Sequence, residues 1–284
     1  MRIIVWLRSI VGIQTDLFIH SFDIQAFDDT PSSEAQHYGD SAFVAMMLAK
    51  VLCVQLINHM GYDLLFQDVD IVWYKDPLKY FHDDNNPLRD FDMYFQDDGA
   101  RSSRFAPLSA NTGFYFVRSN SRTIYLFQSL LYNSDQIIQS HSHQEALVQT
   151  MNEHISLFGL RVKTLSRDMD EFPGGWHYHR KSKDFMMKLV KEEVSPIIFH
   201  MSWTKNKINK IKFFQQMGQW YVNDMCIAHT KPEIMGNHDM KEGESIADPC
   251  CLSEPNLVCH YRDKPSKIPC REMDPIDAGR PSFW

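Results

Sequence analysis

One long segment of the chain is apolar on nearly every side. Residues 42–54 are all apolar except for Lys50, and Gly61 follows at a position where a helix would end. A helix that is apolar nearly all round is buried on most of its faces. The pattern therefore predicts a buried helix of about five turns, with Asp40 or Ser41 as its N-cap.

Shorter apolar runs alternate with amphipathic segments along the rest of the chain. Runs of strand length occupy 3–7, 17–22, 64–66, 91–96, 113–117, 160–163 and 197–199. Segments with helical periodicity occupy 121–131, 143–154, 185–191 and 205–221. Because strands and helices alternate, we expect an α/β fold with helices on both faces of one sheet.

The composition changes twice along the chain and predicts three parts. Residues 1–37 are mixed and include a polar loop at 28–33, and residues 38–230 carry most of the alternating pattern. Residues 231–284 are rich in Pro, Gly, Asp and Cys and show little periodicity. We therefore expect a main domain at 38–230 and an irregular extension at 231–284.

The charge balance and the lack of a long apolar stretch narrow the class of protein. The 284 residues include 29 Lys and Arg against 36 Asp and Glu, a net charge of −7, which argues against general nucleic-acid binding. No stretch approaches the ~20 apolar residues of a membrane span. Residues 1–8 lack the features of a signal peptide. A cytosolic chain and a chain whose natural N-terminus is missing both fit these facts.

Four of the six cysteines lie in the extension, which raises two alternatives. They are Cys250, Cys251, Cys259 and Cys270. A zinc site could use them with His238 and His260, but the adjacent pair Cys250 and Cys251 lacks the spacing that two zinc-binding thiolates need. We therefore favour two disulfides and an oxidising compartment.

Two aspartates directly follow the apolar run at 64–66. Asp68 and Asp70 are one residue apart, and apolar residues 71–74 come next. In open α/β sheets ligands gather at the carboxyl ends of strands, and two carboxylates on such a turn can hold one Mg²⁺ or Mn²⁺. Because the flanking sequence is apolar, the carboxylates are partly buried and need a counter-charge. This favours a metal site over a solvated acidic turn.

A histidine at the end of another apolar run supplies a candidate third ligand. His200 closes the run 196–199, and a basic segment follows with Lys205, Lys207, Lys210 and Lys212. The imidazole could complete the metal shell, and the ammonium groups could contact a diphosphate.

Three blocks together carry a resemblance to a known family. YDLLFQDVDIVWYKDPL (62–78), NTGFYFVRSN (111–120) and FHMSWTKNK (199–207) are similar to the nucleotide-diphospho-sugar transferase domain, of the retaining GT-A type placed in glycosyltransferase family 77. The segment CHYRDKPSKIPC (259–270) resembles algal and protist members. The resemblance runs from about residue 38 to the end.

This resemblance implies a fold, a reaction and a location. The fold would be GT-A-like, with a mixed, mostly parallel sheet flanked by helices. The reaction would move a sugar from a nucleotide-diphosphate donor, usually UDP-linked, to a glycan or glycoprotein acceptor, with Mn²⁺ or Mg²⁺ as cofactor. The location would be the lumen of the secretory pathway, in the Golgi, although no membrane anchor or signal is present in this sequence.

The resemblance also assigns the residues that would bind the metal and the diphosphate. Asp68 would contact the ribose and the metal, and Asp70 and His200 would be metal ligands. Lys50, 18 residues before Asp68, would be a basic donor contact. The diphosphate would be held by Lys207 or Lys210.

A second set of residues would surround the reacting sugar. Asn111 and Gly113 match the block that lines the sugar pocket, and Asp97 and Asp98 match an acidic pair near the donor sugar. Gln144 faces the same sugar and would orient it together with the two aspartates. No protein nucleophile is needed if the acceptor enters on the face of the leaving group.

Two departures and two rival functions accompany this resemblance. His143 stands where the family commonly has Asp, and residues 1–37 are short for the part that holds the nucleotide base, so this part is incomplete or divergent. A non-catalytic domain that binds a nucleotide sugar or a partner is one rival. The other is a phosphohydrolase of the haloacid dehalogenase type, which would use Asp68 as its nucleophile. Asp97 and Asp98 follow Asp68 too soon for that fold.

Overall fold

A computed structural model describes most of the chain in seven stretches. These are residues 2–8, 18–23, 41–82, 90–179, 192–203, 207–228 and 247–256, with scattered single positions between 185 and 265. The predicted loop at 28–33, most of the predicted helix at 185–191, and the cysteines Cys259 and Cys270 lie outside the described residues.

A six-stranded sheet forms the centre of the fold, and a separate two-stranded ribbon carries the histidine. The eight strands concerned are β1 (Arg2–Arg8), β2 (Phe18–Asp23), β3 (Asp63–Gln67), β4 (Ile71–Trp73), β5 (Met93–Asp97), β6 (Ala110–Val117), β7 (Val162–Leu165) and β8 (Ile198–His200). The sheet has the order β2-β1-β3-β6-β5-β7, and β4 pairs only with β8. All seven predicted strands are present, but the last of them belongs to the ribbon and not to the main sheet.

Strand directions confirm a mixed sheet in which most strands share one direction. β2, β3, β5 and β7 run one way, whereas β1 and β6 run the other. Among neighbouring strands, β5 and β7 make the parallel pair, and the other pairings of this sheet are antiparallel. Fewer neighbouring strands are therefore paired in parallel than we expected. β5 and β6 are joined by a loop, and such a connection places neighbouring strands antiparallel.

The helices begin and end where local chemistry dictates. They are α1 (Ser41–His59), α2 (Pro77–His82), α3 (Ser121–Tyr132), α4 (Asp135–Ser140), α5 (His143–Phe158), α6 (Gly175–His179), α7 (Lys207–Gln216), α8 (Asp224–Ala228) and α9 (Ala247–Cys250). Asn120 caps α3 in a capping box with Thr123. Gly159 ends α5 with φ near +67°. α7 ends before the predicted residue 221, because Gly218 turns the chain at φ +68°. None of the described helices is both long and apolar enough to cross a bilayer.

Strand residues alternate between two apolar cores, as the period of a strand requires. Leu64, Phe66, Met93 and Phe95 belong to the core that α1, α3, α4 and α5 cover. The opposite core contains the alternate strand residues Leu65, Tyr94, Phe114 and Phe116, and residues of α2 and the β4–β8 ribbon cover it. Burial of each such side chain contributes about 1.5–3 kcal/mol to the stability of the fold. The strands that carry the site residues are therefore held in place by both cores.

The chain divides into two compact units. The first lies within Met1–His177 and Ser195–Lys205 and contains the sheet and the ribbon. The second lies within Tyr178–Val194 and Asn206–Trp284 and contains α7, α8 and α9. The boundaries at 37/38 and 230/231 stay predictions.

One disulfide in the second unit involves a cysteine of the extension, as expected, but its other cysteine lies before the extension. Cys250 is bonded to Cys226, with their Cα atoms 5.6 Å apart, and not to another cysteine of the extension. The N–H of Asn223 donates to the carbonyl of Cys250 at 2.9 Å, so the backbone brings the two cysteines side by side. Cys251 is an exposed free thiol in the described region. The disulfide therefore ties the extension to the preceding segment.

Candidate functional site

Backbone pairing brings Asp70 and His200 together. β4 and β8 are antiparallel, with Ile71 directly opposite His200. The N–H of Met201 donates to the carbonyl of Asp70 at 3.0 Å, which continues this pairing by one step. Asp68 is fixed separately, because its N–H donates to the carbonyl of Gly113 at 2.7 Å. Three segments that are distant in sequence thus meet at the end of β3.

The two carboxylates and the imidazole converge on one point. One ligand atom from each of Asp68, Asp70 and His200 lies within 4.8 Å of the other two. His200 Nε2 is 3.4 Å from Asp70 Oδ1, and both residues are buried, whereas Val69 between the aspartates is 79% exposed. Two oxygens and one nitrogen at this separation fit the partial shell of a divalent cation. Metal binding by these residues stays a prediction.

Lys50 is the buried counter-charge of Asp68. Its ammonium forms an ion pair with Asp68 Oδ1, and the lysine side chain is 10% exposed. The same ammonium lies 5.3 Å from the centre of the Phe66 ring. This explains the lone charge in the apolar helix α1, since a buried ammonium is tolerated only when it is paired. Its contact with a donor stays a prediction.

Gly113 leaves the room that the converging side chains need. A Cβ atom at this position would lie 2.5 Å from His200 Cε1 and 2.9 Å from Asp68 Oδ2. Real Cβ atoms do not approach other atoms so closely, so any larger residue would push the imidazole and the carboxylate away. The absence of a side chain at Gly113 is therefore required by the close packing of the site. The predicted contact of Gly113 with the sugar stays a prediction.

The second acidic pair is held by hydrogen bonds to protein groups. Asp97 accepts two hydrogen bonds from the guanidinium of Arg101, at 2.9 and 2.8 Å, and one from the N–H of Gly99. Asp98 is buried and accepts from Asn111 Nδ2 at 2.7 Å and from Trp203 Nε1 at 3.2 Å. Burial raises the pKa of Asp98, although both hydrogen bonds and the nearby His200 oppose the shift.

Asn111 and Trp203 hold the Asp98 carboxylate in place through the hydrogen bonds that they donate to it. The Asn111 side chain donates from its Nδ2 to Asp98, and its Oδ1 accepts from the N–H of Gly113, at 2.7 Å each. Trp203, which the sequence analysis did not single out, has φ +64°, a strained value for a bulky residue. Its place in the block FHMSWTKNK was the signal that could have identified it.

Gln144 presents hydrogen-bond donors. Its Oε1 accepts from the N–H and the hydroxyl of Thr112, at 3.2 and 3.3 Å, and its Nε2 hydrogens have no hydrogen-bond partner among the described residues. A group in this orientation can bind an oxygen but cannot take up a proton.

His143 cannot replace the charge of an aspartate. It is buried, and neither ring nitrogen has a hydrogen-bond partner among the described residues. Desolvation and the charge of Lys50 hold the pKa of His143 well below its usual range, so the ring is neutral. The departure from the family pattern is therefore a loss of negative charge at this position.

Gln96 is a further residue that the sequence analysis missed. It is 1% exposed, and its Oε1 lies 2.7 Å from His200 Nδ1. An amide that follows the apolar residues of β5, directly before Asp97, was the signal that could have found it.

Lys207 and Lys210 lie on α7 in the second unit. The site described above belongs entirely to the first unit. Their contact with a diphosphate therefore stays a prediction.

Several glycosyltransferases are similar to this chain. A UDP-galactose:fucoside alpha-3-galactosyltransferase from Dictyostelium discoideum is 28% identical over 211 residues, which are 68% of this chain and 30% of that protein. A UDP-D-xylose:L-fucose alpha-1,3-D-xylosyltransferase from Arabidopsis thaliana is 24% identical over 215 residues, 69% of this chain and 54% of that protein. The beta-arabinofuranosyltransferase RAY1 from Arabidopsis thaliana is 23% identical over 196 residues, 65% and 35% respectively. This chain thus spans about half or less of each relative.

The family assignment rests on a match to a family model. No solved structure is significantly similar to the chain. The model of the nucleotide-diphospho-sugar transferase family matches residues 15–214, which include the whole candidate site. Neither the phosphohydrolase nor the non-catalytic alternative is favoured by these matches. The chain belongs to the nucleotide-diphospho-sugar transferase family.

Proposed function

We propose that the protein is a retaining glycosyltransferase that moves a sugar from a nucleotide diphosphate to an acceptor hydroxyl and depends on a divalent cation. The observation that carries this proposal is the convergence of Asp68, Asp70 and His200 within 4.8 Å. The family match supplies the class of donor. A GT-A fold of the family 77 type agrees with the mixed sheet and with the order of the three sequence blocks.

The donor atoms of the site favour Mn²⁺ over Mg²⁺. Mg²⁺ takes almost only oxygen ligands, whereas an imidazole nitrogen suits a transition-metal ion better. His200 supplies that nitrogen beside the oxygens of Asp68 and Asp70. The bound ion would stabilise the negative charge of the leaving diphosphate. We propose that Lys50 adds positive charge at the same group. The contact of Lys207 or Lys210 with the diphosphate is proposed from the family resemblance alone.

The hydrogen bonding of Asp97 and Asp98 supports a front-face displacement. A double displacement needs a carboxylate that is free to attack the anomeric carbon. Asp97 is engaged by Arg101, and Asp98 by Asn111 and Trp203. We therefore propose that the C1–O bond to the diphosphate breaks as the acceptor oxygen bonds to C1 on the same face. The acceptor proton passes to a phosphate oxygen of the leaving group.

The proposed roles of the surrounding residues follow from their free hydrogen-bonding groups. Gln144 offers its Nε2 hydrogens, so we propose that it binds a hydroxyl or ring oxygen of the donor sugar. Asp98 has a lone pair that neither Asn111 nor Trp203 uses, and with it the carboxylate would accept a hydrogen bond from a hydroxyl of the same sugar. Both residues would orient the sugar and neither would form a bond to it.

The names of the relatives suggest where to begin with substrates. Galactose, xylose and arabinose stand in those names, and two of them name a fucoside or L-fucose as acceptor. We propose a UDP-linked donor of this group and an acceptor glycan that carries fucose. The disulfide between Cys226 and Cys250 supports a location in the lumen of the secretory pathway, in the Golgi by family analogy.

Calorimetry with a donor panel tests the proposal. UDP-galactose, UDP-xylose and UDP-arabinofuranose are titrated into the protein with and without Mn²⁺, and transfer to an α-L-fucoside is followed by NMR, which reports the anomeric configuration of the product. We expect Mn²⁺-dependent binding of at least one donor and a product of retained configuration. Metal-independent binding or an inverted product would contradict the proposal.

A further inference from the structure

Gln96 is a buried amide that contacts His200 from the side opposite Asp70. Its Oε1 lies 2.7 Å from Nδ1 of the imidazole, whereas Nε2 of the same ring lies 3.4 Å from Asp70 Oδ1. Gln96 is 1% exposed and His200 is 2% exposed, so water does not reach between them. The proposed reaction assigns no task to this amide.

Two backbone carbonyls fix which way the Gln96 amide points. Nε2 donates to the carbonyl of Phe172 at 2.9 Å and to that of Pro173 at 3.0 Å. A flipped amide would place Oε1 against both carbonyl oxygens and its N–H groups against the imidazole. Because each buried polar group needs a partner of opposite kind, only the unflipped orientation satisfies all of them.

The orientation of the amide determines the protonation of the imidazole. An amide oxygen only accepts, so the short contact requires a hydrogen on His200 Nδ1. A neutral imidazole carries one N–H, and Nε2 then has a lone pair directed to the side of Asp70. A lone pair and a carboxylate that face one another are favourable only around a cation.

The segment that receives the Gln96 amide also holds the histidine backbone. The carbonyl of Pro173 accepts from the N–H of His200 at 3.0 Å as well as from Gln96. A Cβ atom on Gly174 would lie 3.0 Å from Gln96 Nε2, so a larger residue there would displace the amide. Backbone and side chain of His200 are thus held by one short stretch of chain.

We propose that Gln96 is a positioning residue that holds His200 in the Nδ1–H tautomer and so presents Nε2 to a divalent cation. This inference rests on the metal site of the proposed function. Groups that orient a ligating histidine in this way typically change metal affinity by about 10–100-fold.

NMR of the ring nitrogens and calorimetry with Mn²⁺ test the proposal. Long-range ¹H–¹⁵N spectra of ¹⁵N-histidine-labelled, metal-free protein report the tautomer of His200, identified by its loss in His200→Gln. We expect the Nδ1–H form in the wild type, and in Gln96→Met a mixture of tautomers with about 10–100-fold weaker Mn²⁺ binding. Gln67→Met is the control, because it removes a comparable amide that bonds to Trp73 instead, and it should leave the His200 tautomer unchanged.

A second variant covers the case in which Gln96→Met does not fold. In Gln96→Glu the buried acid is expected to be neutral, so that its hydroxyl donates to a carbonyl and its other oxygen accepts from His200. The Nδ1–H tautomer and Mn²⁺ binding should therefore be retained. An Nε2–H tautomer in the wild type, or unchanged Mn²⁺ affinity in Gln96→Met, would overturn this inference alone. A wild type that binds no Mn²⁺ would overturn the proposed metal site itself, whatever the tautomer.

Discussion

Two acidic pairs lie at the ends of β3 and β5, the strands on either side of β6, and they differ in what surrounds them. Asp68 and Asp70 face an imidazole nitrogen, and Asp68 pairs with the buried ammonium of Lys50. Asp97 and Asp98 are surrounded by donors of the protein itself, including Arg101 and the side chains that bind Asp98. Similar residue types at similar places in the fold thus have opposite surroundings.

This difference indicates which pair suits a cation and which suits a sugar. Carboxylates that converge with a second ligand type gain most from a divalent ion. Carboxylates that already accept hydrogen bonds from N–H donors gain less from an ion, but they are held rigidly and can accept one more hydrogen bond from a hydroxyl. We therefore assign the metal to the first pair and sugar orientation to Asp98.

The largest effect is expected from Asp70→Asn. This change removes one of the converging oxygens and leaves His200 Nε2 facing an amide, so Mn²⁺ affinity should fall more than about 100-fold, beyond the range seen for outer-shell residues. Calorimetry with Mn²⁺ and UDP measures the loss. Asp135→Asn, at an exposed carboxylate on α4, is the matched control and should bind as the wild type does. Equal binding in the two variants would refute the assignment.

Gly113→Ala should have the next largest effect, because the added methyl group clashes with His200 and Asp68. The new Cβ would lie 2.5 Å from His200 Cε1, so the ring or the strand must shift. Because this shift displaces the histidine that we propose as a metal ligand, we expect Mn²⁺ affinity to fall by about 10–100-fold with the fold retained. Gly236→Ala, where none of the described atoms lies within 4 Å of the added Cβ, provides the comparison. A Gly113→Ala protein with wild-type affinity would mean that the site is looser than the structure indicates.

Asp98→Asn should separate the two pairs most clearly. The amide cannot accept from both Asn111 and Trp203 as the carboxylate does, so the donor sugar should lose its orientation. We expect transfer to slow by about 10–100-fold while Mn²⁺ affinity remains within a small factor of the wild type. Steady-state kinetics and calorimetry on the same preparation measure both quantities. If Mn²⁺ affinity falls as far as in Asp70→Asn, the division between the pairs is wrong.

Asp97→Asn should have the smallest effect of the series. Its ion pair with Arg101 is half exposed on the arginine side, and such pairs contribute about 0–1 kcal/mol. We expect a similar small loss of stability in Asp97→Asn, in Arg101→Gln and in the double variant, as chemical denaturation would show. A loss of Mn²⁺ binding in Asp97→Asn would instead place Asp97 in the metal shell.

The sequence predicted the strands and the major helices because apolar periodicity alone determines them. α1 follows directly from a long apolar run and β3 from a short one, and the blocks around Asp68 and His200 identified the family. The partner of Cys250 and the ribbon that carries His200 were not predicted, because pairing between distant segments leaves no local pattern.

The roles of polar residues near the site were the least predictable part. Gln96 and Trp203 act through contacts with residues far away in the sequence, at 2.7 Å to His200 and 3.2 Å to Asp98. Likewise, nothing in the segment 97–98 shows that Arg101 and Asn111 divide the two carboxylates between them. Such roles depend on side-chain geometry, which only the folded chain defines.

Pulsed electron–nuclear double resonance on the Mn²⁺-loaded protein examines the shared ion most directly. With ¹⁵N-labelled histidine, coupling of one ring nitrogen to the metal should appear in the wild type and vanish in His200→Gln, while Asp70→Asn should lose the bound ion. A wild-type spectrum of bound Mn²⁺ without any histidine coupling would show that the imidazole and the two carboxylates do not share a cation.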